Sequence, residues 1–282
     1  MTADLKVDGL PAPGRTLVMG VVNVTPDSFS DGGEWLDPDD AIAHGLELLA
    51  EGADVVDVGG ESTRPGAVRP TQDVELARVI PVISALAAAG GLVSVDTMRP
   101  EVAERAVAAG ARMINDVSGG RAEHAMLPTV ARLEVPYVCM HWRGHATDMQ
   151  SRATYSDLTA EVVAELAEQV EAALAAGIRR DRIALDPGFG FAKTGEHNWE
   201  LLNQLDDLDA LGYPILYGLS RKRFLGSLLA APDGTVRPAR QRDDASLALT
   251  TLLAQRRVWA VRVHRVRPSV DAVAVVERLR RG

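Results

Sequence analysis

One local pattern recurs along this chain and restricts the folds that it can adopt. An alanine-rich amphipathic stretch ends in glycine, and a short apolar run follows at once. The pattern appears in EGADVVDVGG, AAGGLVSVDT, AAGARMINDV, AAGIRRDRIALDPG and ALGYPILYGLS. Glycine commonly follows the last helical residue because it adopts left-handed backbone angles without strain. The apolar runs do not alternate with polar residues, which is typical of strands buried on both faces of a parallel sheet.

The stretches between these runs have the periodicity of amphipathic helices. In residues 156–177, apolar side chains recur four positions apart on one face, with Ser156 or Asp157 as the N-cap. Proline directly after Asp37 and after Arg99 predicts two further helix starts, because proline is favoured in the first helical turn.

Eight apolar runs are assigned as strands. They lie near residues 17–23, 55–58, 92–96, 112–115, 136–140, 183–186, 215–219 and 258–263. Strands that alternate with helices form right-handed βαβ units, and eight units predict an α/β fold, a single-domain (β/α)8 TIM barrel. We expect the barrel over residues 15–282 and a flexible tail over residues 1–14. A doubly wound open sheet uses the same local pattern and stays open as an alternative.

Charge and cysteine content argue against several classes of function. The chain of 282 residues has a formal net charge of -9, whereas binding to nucleic acid or to an anionic membrane calls for a basic surface. No apolar run approaches the roughly 20 residues of a membrane helix, and the first residues do not resemble a signal peptide. The one cysteine, Cys139, lies in an apolar run and is expected in the core. We therefore expect a cytoplasmic protein.

Polar side chains stand at the carboxyl ends of the predicted strands. They are Asn23, Asp57, Asp96, Asn115, His141, Asp186, Ser220 and His264. Polar residues at strand ends can simply mark where the chain turns. Amides and carboxylates directly after apolar strands, however, are partly buried and need partners. In a barrel these positions converge on the face that carries the active site, so we expect them to surround a ligand.

The chemical mix at these strand ends indicates the kind of ligand. Asp96, Asn115 and Asp186 supply hydrogen-bond acceptors, and Lys222 adds a cation. A carboxylate can accept two parallel hydrogen bonds from an N–C–N edge, as it does from arginine. The set therefore predicts a flat heterocycle with an amidine-like edge and a carbonyl group.

A second group of residues is basic. Its members are Arg64, Arg221, Lys222, Arg262 and His264. Arg262 and His264 are two residues apart, so their side chains share one side of a strand. Together with Asn23 they could hold an anionic leaving group such as diphosphate, with Mg²⁺ on oxygen ligands. The remaining arginines of RRVWAVRVHRVR are expected to be solvated.

Other motifs carry little functional information. The stretch DPGFGFAKTG contains glycine, lysine and threonine, but it does not match the phosphate-binding pattern GxxxxGK[ST]. No HExxH is present, so we expect no catalytic zinc site.

Seven motifs, taken in order, resemble one known family. They are MGVVNVTPDSFSDGG, DVGGESTRPGA, SVDT, INDVSGG, DPGFGFAKT, SRKRFLG and RVH, and they run from residue 19 to residue 264. Each alone is weak, but the ordered set is similar to the dihydropteroate synthase family, with the actinobacterial members nearest. The resemblance implies a barrel that forms a homodimer. It also implies that 6-hydroxymethyl-7,8-dihydropterin diphosphate condenses with 4-aminobenzoate to give 7,8-dihydropteroate and diphosphate.

The resemblance also implies roles for individual residues. The pterin pocket would be formed by Asp96, Asn115, Asp186 and Lys222. The aminobenzoate region would be formed by Thr63, Arg64, Pro65, Phe191, Ser220 and Lys222. Diphosphate would be held by Asn23, Arg262 and His264, with Asn23 also at the Mg²⁺ position. Catalysis would depend on Asp96, Lys222, Arg262, His264 and Asp27, the last being a residue of the closed state. Arg223 stands where some members carry serine, which affects details of the aminobenzoate pocket.

The expected mechanism is cleavage of the C–O bond before attack by the arylamine. No covalent enzyme intermediate is required, and sulfonamides are expected to act as aminobenzoate mimics. The glycine-rich loop GGESTRPGA is expected to be a mobile lid. Two alternatives remain. One is a pterin-binding methyltransferase barrel, which would not need the basic group at Arg262 and His264. The other is a non-catalytic paralogue that keeps the fold.

Overall fold

In the residues that the structure describes, the sheet consists of eight strands. The computed structural model describes residues 6–25, 37–64 and 66–282. The strands are β1 (Leu17–Asn23), β2 (Val55–Gly59), β3 (Val93–Asp96), β4 (Met113–Asp116), β5 (Tyr137–Met140), β6 (Ile183–Asp186), β7 (Leu216–Tyr217) and β8 (Ala260–Val263). Each lies at a predicted position, although β7 and β8 are shorter than expected.

The eight strands close into a barrel. They pair in parallel in the order β6-β5-β4-β3-β2-β1-β8-β7. A parallel bridge between Leu185 and Ile215 joins the two ends of this order, and the Leu185 amide donates to the Pro214 carbonyl at 2.8 Å. An open sheet would leave both end strands without such a partner. The predicted (β/α)8 barrel is therefore confirmed, and the open sheet is excluded.

Helices connect successive strands and surround the barrel. In the described residues they are α1 (Pro38–Ala50), α2 (Gln72–Ala88), α3 (Pro100–Ala108), α4 (Met126–Leu133), α5 (Leu158–Ala175), α6 (Gly195–Asn203), α7 (Leu205–Asp209), α8 (Arg223–Leu228), α9 (Asp243–Arg256) and α10 (Val266–Arg280). Short 3₁₀ turns occur at Met149–Arg152, Arg180–Arg182 and Ala239–Arg242. The predicted helix starts are confirmed, since Asp37 caps α1 and Asp157 caps α5 with their side chains.

Alternation along the strands separates two cores. Outward-facing residues such as Val56, Ile114 and Leu185 belong to the large core beneath the helices. Inward-facing residues fill the amino-terminal end of the barrel, and they are Leu17, Met19, Val55, Met113, Val138, Ala184, Leu216 and Ala260. Two residues further along a strand, the next inward position lies nearer the carboxyl end. At that level several inward residues are polar, which are Asp57, Asn115, Asp186 and Arg262, and this change positions the site.

Residues 6–14 lie against the amino-terminal end of the barrel. Val7 is buried with the inward-facing layer, and the Asp8 amide donates to the Asp181 carbonyl at 2.7 Å. The flexible tail over residues 1–14 and the barrel boundary at residue 15 stay predictions, although Val7, within the predicted tail, packs against the barrel end. Residues 1–5 lie outside the described residues. In the part of the chain that is described, no helix is long and apolar enough to cross a bilayer.

Candidate active site

A cleft of about 910 Å³ opens above the carboxyl ends of the strands. Eight of the residues predicted for the site line this cleft, and they are Asn23, Thr63, Arg64, Phe191, Ser220, Lys222, Arg262 and His264. Two further predicted residues, Asp27 and Pro65, lie outside the described residues. The strand ends and the loops that follow them thus bring to one opening the described residues that the sequence predicts for binding diphosphate and aminobenzoate.

The floor of the cleft is a buried network of hydrogen bonds and ion pairs. From β8, Arg262 donates through Nε to Asp57 Oδ2 at 2.7 Å and through Nη2 to Asp96 Oδ2 at 2.9 Å. From β4, Asn115 donates through Nδ2 to Asp57 Oδ2 at 2.9 Å. Because these residues come from four different strands, the contacts cross the barrel interior. Asp96 and Asn115 are buried, and Arg262, which lines the cleft, contacts Asp96.

Asp57 is the residue of this floor that the sequence reasoning passed over. The sequence identifies Asp57 only as a polar residue at a strand end, whereas in the structure it accepts hydrogen bonds from both Arg262 and Asn115. A signal was present in the sequence. Asp57 is an acid within the apolar run VVDV and lies two residues before Gly59, so the two positions share one face of the strand. That face is the one that points into the barrel. Asp57 Oδ1 is also buried, with no hydrogen-bond partner among the described residues.

Burial controls the charge of Asp96. It raises the pKa of this carboxyl to about 8, while the guanidinium of Arg262 acts in the opposite direction and the Asp57 carboxylate adds to the increase. Without ligand this group therefore titrates close to neutral pH, and a ligand that donates a hydrogen bond to it would favour the carboxylate. Perturbed carboxyls in clefts are characteristic of functional sites.

Asp186 and Lys222 complete the floor. Asp186 accepts the Gly188 amide on Oδ1 at 2.7 Å. Its Oδ2 lies 3.7 Å from the position of a Cβ on Gly218, a residue that lines the cleft. Lys222 Nζ lies 4.2 Å from the centre of the Phe191 ring, as in a cation–π contact. Burial lowers the pKa of Lys222 to about 8, with Asp186 opposing this decrease.

His264 lies at the rim of the cleft, close to several cationic side chains. Its Nδ1 lies 3.0 Å from Ser220 Oγ, and it stands just before α10. The pKa of His264 is held well below its usual value, first by burial and then by four nearby cations, which are Arg221, Arg262, Lys222 and Arg64. A neutral imidazole among four cations at the start of a helix is suited to binding an anion.

Arg221, another member of the predicted basic group, lines the cleft but is anchored to a helix. It donates through Nε to Asp243 Oδ1 at 2.6 Å and through Nη2 to Asp243 Oδ2 at 2.9 Å. Its backbone has a φ of 59°, in the left-handed region that non-glycine residues rarely adopt. The carboxylate of Asp243 offsets part of the charge of Arg221, so Arg221 adds less positive charge to the rim than an unpaired arginine would.

The loop after β2 is held at its base and touches the loop after β5. Arg69 donates through Nε to Glu61 Oε2 at 3.0 Å, and Arg99 also lies within salt-bridge distance of Glu61. Burial raises the pKa of Glu61. Further along, the Gly66 amide donates to the Ala146 carbonyl at 2.8 Å. Thr63 and Arg64 reach the cleft between these attachments. Whether the loop moves as a lid stays a prediction.

His141 does not join the other strand-end residues. Met140 is the last inward residue of β5, so His141 faces outward, where its Nε2 lies 3.0 Å from Glu165 Oε2 on α5. The expectation that all eight strand-end residues surround one ligand was wrong at this position, because the period of two places odd and even positions on opposite faces. Cys139 is buried in the outer core, as predicted.

Oxygen atoms suited to Mg²⁺ lie beside Gly59. A Cβ on this glycine would stand 3.6 Å from both Asn23 Oδ1 and Asp96 Oδ2, so the two oxygens border one small space. Within residues 6–25, 37–64 and 66–282, no three His, Cys, Asp or Glu side chains gather as a metal site. Mg²⁺ commonly takes only one or two protein oxygens and completes its shell with water and phosphate. The residues present therefore fit this ion when a phosphorylated substrate supplies the other ligands.

Fold and site together define a class, a (β/α)8 barrel enzyme with buried acids below a basic rim. The family described as pterin binding enzyme matches residues 19–264. The dihydropteroate synthase of Mycobacterium leprae is 56% identical over 260 residues, which cover 92% of each chain. The chain belongs to the pterin-binding enzyme family and, within it, to the dihydropteroate synthases, which are transferases.

Solved structures agree with this assignment. The Yersinia pestis dihydropteroate synthase, in complex with a sulfonamide drug, is 39% identical, with a TM-score of 0.91 over 99% of both chains. The Xanthomonas albilineans dihydropteroate synthase with 4-aminobenzoic acid is 48% identical. Its TM-score is 0.84, over 94% of this chain and 93% of that one.

Proposed function

We propose that this protein condenses 6-hydroxymethyl-7,8-dihydropterin diphosphate with 4-aminobenzoate to form 7,8-dihydropteroate and diphosphate. The observation that carries the proposal is the division of the cleft into a buried acidic and amide floor and a cationic rim. Asp57, Asp96 and Asn115 surround Arg262 on the floor, and His264 stands among four cations at the rim. A substrate with a flat heterocycle at one end and a diphosphate at the other matches both parts.

The floor would bind the pterin ring. Asp186 Oδ2 would accept from the N–C–N edge of the ring, and the amide of Asn115 can both donate to it and accept from it. Lys222 would donate to a ring acceptor. Asp96 would stabilise the positive charge that develops on the pterin methylene when the C–O bond breaks, because a carboxylate in a buried site acts strongly on nearby charge.

The rim would bind the diphosphate as it leaves. His264 at the rim and Arg262 from the floor would donate hydrogen bonds to its oxygens, with Asn23 close by on β1. Mg²⁺, held by Asn23 and the substrate, would add positive charge next to the same oxygens. When the bond breaks, the electron pair leaves with diphosphate, so every cation at the rim favours this step.

The second substrate would enter beside Phe191. The aromatic ring and carboxylate of 4-aminobenzoate suit the side chains that line this part of the cleft, which are Thr63, Arg64, Phe191, Ser220 and Lys222. Its amine would attack the methylene carbon and form the C–N bond, and the nitrogen would then release a proton to solvent. The Xanthomonas relative with bound 4-aminobenzoic acid and the Yersinia relative with a sulfonamide support this use of the cleft.

Substitutions on the floor test the proposal. Formation of dihydropteroate should fall by about a hundredfold or more in Asp96→Asn and in Lys222→Ala, because each removes a charged contact used at the reacting centre. Lys6→Ala, which changes an exposed lysine at the opposite end of the barrel, is the matched control and should keep wild-type turnover. Turnover within a few-fold of wild type in both floor variants would contradict these roles.

The methyltransferase alternative predicts a different dependence on the rim. Transfer of a methyl group from a methylfolate needs no diphosphate site, so the cations around His264 favour the synthase. A methylfolate assay separates the two reactions, and a protein inactive in both assays would be the non-catalytic paralogue. A homodimer, a cytoplasmic location and sulfonamide sensitivity stay predictions that follow from the family.

A further inference from the structure

Lysine is rare in this chain and concentrated at the cleft. The 30 Lys and Arg residues include only three lysines, which are Lys6, Lys193 and Lys222. Lys193 is 3% exposed, and it lines the same cleft as Lys222. Burying an ammonium group is costly unless its hydrogen bonds are satisfied. A chain that otherwise uses arginine has therefore placed an uncommon, buried cation beside the candidate active site, where the mechanism above gives it no role.

The ammonium group of Lys193 has three acceptors for its three N–H groups. Nζ lies 3.0 Å from His141 Nδ1, 3.2 Å from the Gly188 carbonyl and 3.4 Å from the Phe191 carbonyl. Two of these acceptors belong to the backbone of the loop after β6, and the third belongs to His141, the residue that follows β5. Lys193 therefore connects its own loop to the end of the neighbouring strand through buried hydrogen bonds.

His141 is built to act as an acceptor towards this lysine. Burial, followed by the nearby Lys193, lowers the pKa of His141 to about 3, so the imidazole is neutral. Its Nε2 faces Glu165, whose pKa is lowered to about 2 and which Arg143 also binds. A carboxylate only accepts, so Nε2 carries the proton and Nδ1 offers its lone pair to Lys193. This explains why His141 faces away from the cleft.

The loop that Lys193 holds carries Phe191 into the cleft. Other contacts fix its remaining backbone groups, since the Tyr155 hydroxyl donates to the Ala192 carbonyl at 2.9 Å and the Gly190 amide donates to Asn198 Oδ1 at 2.7 Å. Ala192 has a φ of 45°, in the left-handed region. This conformation is unfavourable for alanine, so surrounding contacts must hold it. The ring of Phe191, in turn, lies beneath Lys222 Nζ.

We propose that Lys193, oriented by His141 and Glu165, is a positioning residue that fixes the loop after β6 and so sets the Phe191 ring for the arylamine substrate. The name of that substrate rests on the proposed function. In this role Lys193 acts through the backbone at Gly188 and Phe191, and the reacting atoms are contacted by other residues. Binding of the aromatic amine should therefore depend on Lys193 more than binding of the pterin does.

The charge of Lys193 gives the network a pH dependence. Burial lowers its pKa to about 7, and the charged groups that face it act in both directions. Asp186 and Glu165 favour the charged form, whereas Arg143 and Lys222 oppose it, and His141 accepts a hydrogen bond from it. Loss of a proton leaves two N–H groups for three acceptors. The loop should therefore be held less firmly as the pH rises above 7, and the KM for the arylamine should rise in the same range.

Steady-state kinetics of Lys193→Met test the proposal. We expect the KM for 4-aminobenzoate to rise by about tenfold or more, because a shift of about 1 Å in a positioning group has large effects. The KM for the pterin diphosphate should change by less than about threefold, because its contacts are made elsewhere. The rise of the arylamine KM above pH 7 should be reduced in Lys193→Met, leaving the contribution of Lys222. Lys6→Met is the control.

A double variant distinguishes a shared network from two separate effects. His141→Leu alone should raise the arylamine KM in the same direction. The double variant Lys193→Met/His141→Leu should be no worse than the more severe single variant, because residues that act as one unit are not additive. Equal increases of both KM values, multiplying losses in the double variant, or an arylamine KM within about twofold of wild type would overturn the proposal.

A measurement without turnover separates this proposal from the proposed function. With lysine labelled by ¹³C at Cε, the chain gives only three signals, which single Lys→Arg variants assign. We expect Lys193 to titrate near pH 7, and titration near the ordinary lysine value would contradict its place in the buried network. Wild-type protein that makes no dihydropteroate would sink the synthase proposal, whereas this titration would still report on Lys193.

Discussion

Asp57 is the residue on which the floor of the cleft most depends. Its side chain is fully buried, and it accepts hydrogen bonds from both Arg262 and Asn115 on Oδ2. Asp57→Asn removes the charge and keeps the shape. We expect the free energy of unfolding to fall by about 2 kcal/mol, the usual loss for a hydrogen bond to a charged group.

Chemical denaturation of Asp57→Asn measures this loss. Glu104→Ala is the matched control, because it removes the exposed ion pair between Glu104 and Arg132. Exposed pairs contribute less than about 1 kcal/mol. Equal losses in the two variants would mean that the buried network contributes no more to stability than an exposed ion pair.

His264 would report directly on the proposed anion site. Burial, followed by four nearby cations, holds its pKa well below the usual value in the protein without ligand. Inorganic diphosphate bound at the rim would bring negative charge close to the imidazole and should raise this pKa. NMR titration of the His264 side chain, with and without diphosphate, checks the change. A potassium chloride control at the same ionic strength separates binding from screening, and an unchanged pKa would place the anion elsewhere.

At the scale of single residues, the sequence predicted which polar side chains lie at the strand ends. It did not predict which of them pair with one another. The inward phase of Asp57 and the outward phase of His141 both follow from counting along strands, and they could have been derived. The contact between Arg262 and Asp96 joins residues 166 positions apart in the chain. No local pattern encodes such a contact, because it depends on how the barrel closes.

The loop between β6 and α6 is the element that most constrains the arylamine side of the cleft. Gly188 has a φ of 69°, and a Cβ there would stand 2.6 Å from the His141 carbonyl. Gly188→Ala should therefore displace the loop and lower the free energy of unfolding by about 2 kcal/mol. It should also raise the KM for 4-aminobenzoate more than the KM for the pterin diphosphate.

Gly195→Ala is the matched control for this element. Gly195 is the first residue of α6, and among the described residues no atom beyond its chain neighbours and the backbone of its own helix lies within 4 Å of the position of its Cβ. Alanine favours helix more than glycine does, so this variant should be neutral or slightly stabilising. Thermal unfolding and steady-state kinetics measure both variants. Similar behaviour of the two would show that the close approach at Gly188 does not constrain the loop.

At the scale of elements, sequence patterns located the strands and several helix starts well. Apolar runs and glycine after helices are local signals, and they are strong here. The predicted ends of β7 and β8 were less accurate than the predicted positions of the strands. The predicted strand over 258–263 begins instead at Ala260, since Arg257 follows α9 with a left-handed φ of 61° and the chain needs two more residues to enter the sheet.

At the scale of the whole molecule, the buried histidine His141 links stability to pH. Its pKa is lowered to about 3 in the folded protein, whereas the unfolded chain binds a proton near pH 6.5. Below pH 6.5 the unfolded state therefore binds more protons, and the folded state loses stability as the pH falls. The loss from His141 should approach roughly 1.4 kcal/mol for each pH unit.

Comparison with His141→Asn isolates this contribution. The difference in the free energy of unfolding between wild type and this variant should decrease steadily as the pH is lowered from 7 to about 4.5. Denaturation at several pH values measures it. A difference that does not change with pH would mean that His141 is protonated in the folded protein, and it would remove the acceptor proposed for Lys193.

The overall architecture could be predicted from the sequence, except for its closure. Eight repeated units suggested a barrel, but an open sheet has the same local pattern, and only the pairing of β6 with β7 separates the two. The polar layer inside the barrel follows from closure, because it brings β2, β3, β4 and β8 around one space. That layer and the cationic rim above it are the physical basis of the proposed reaction.

Release of diphosphate from 6-hydroxymethyl-7,8-dihydropterin diphosphate, measured with Mg²⁺ and with or without 4-aminobenzoate, tests the central claim most directly. We expect release that depends on 4-aminobenzoate and is matched mole for mole by 7,8-dihydropteroate. Failure to release diphosphate despite measurable binding of the pterin would contradict the synthase reaction, and it would leave the methyltransferase or the non-catalytic paralogue.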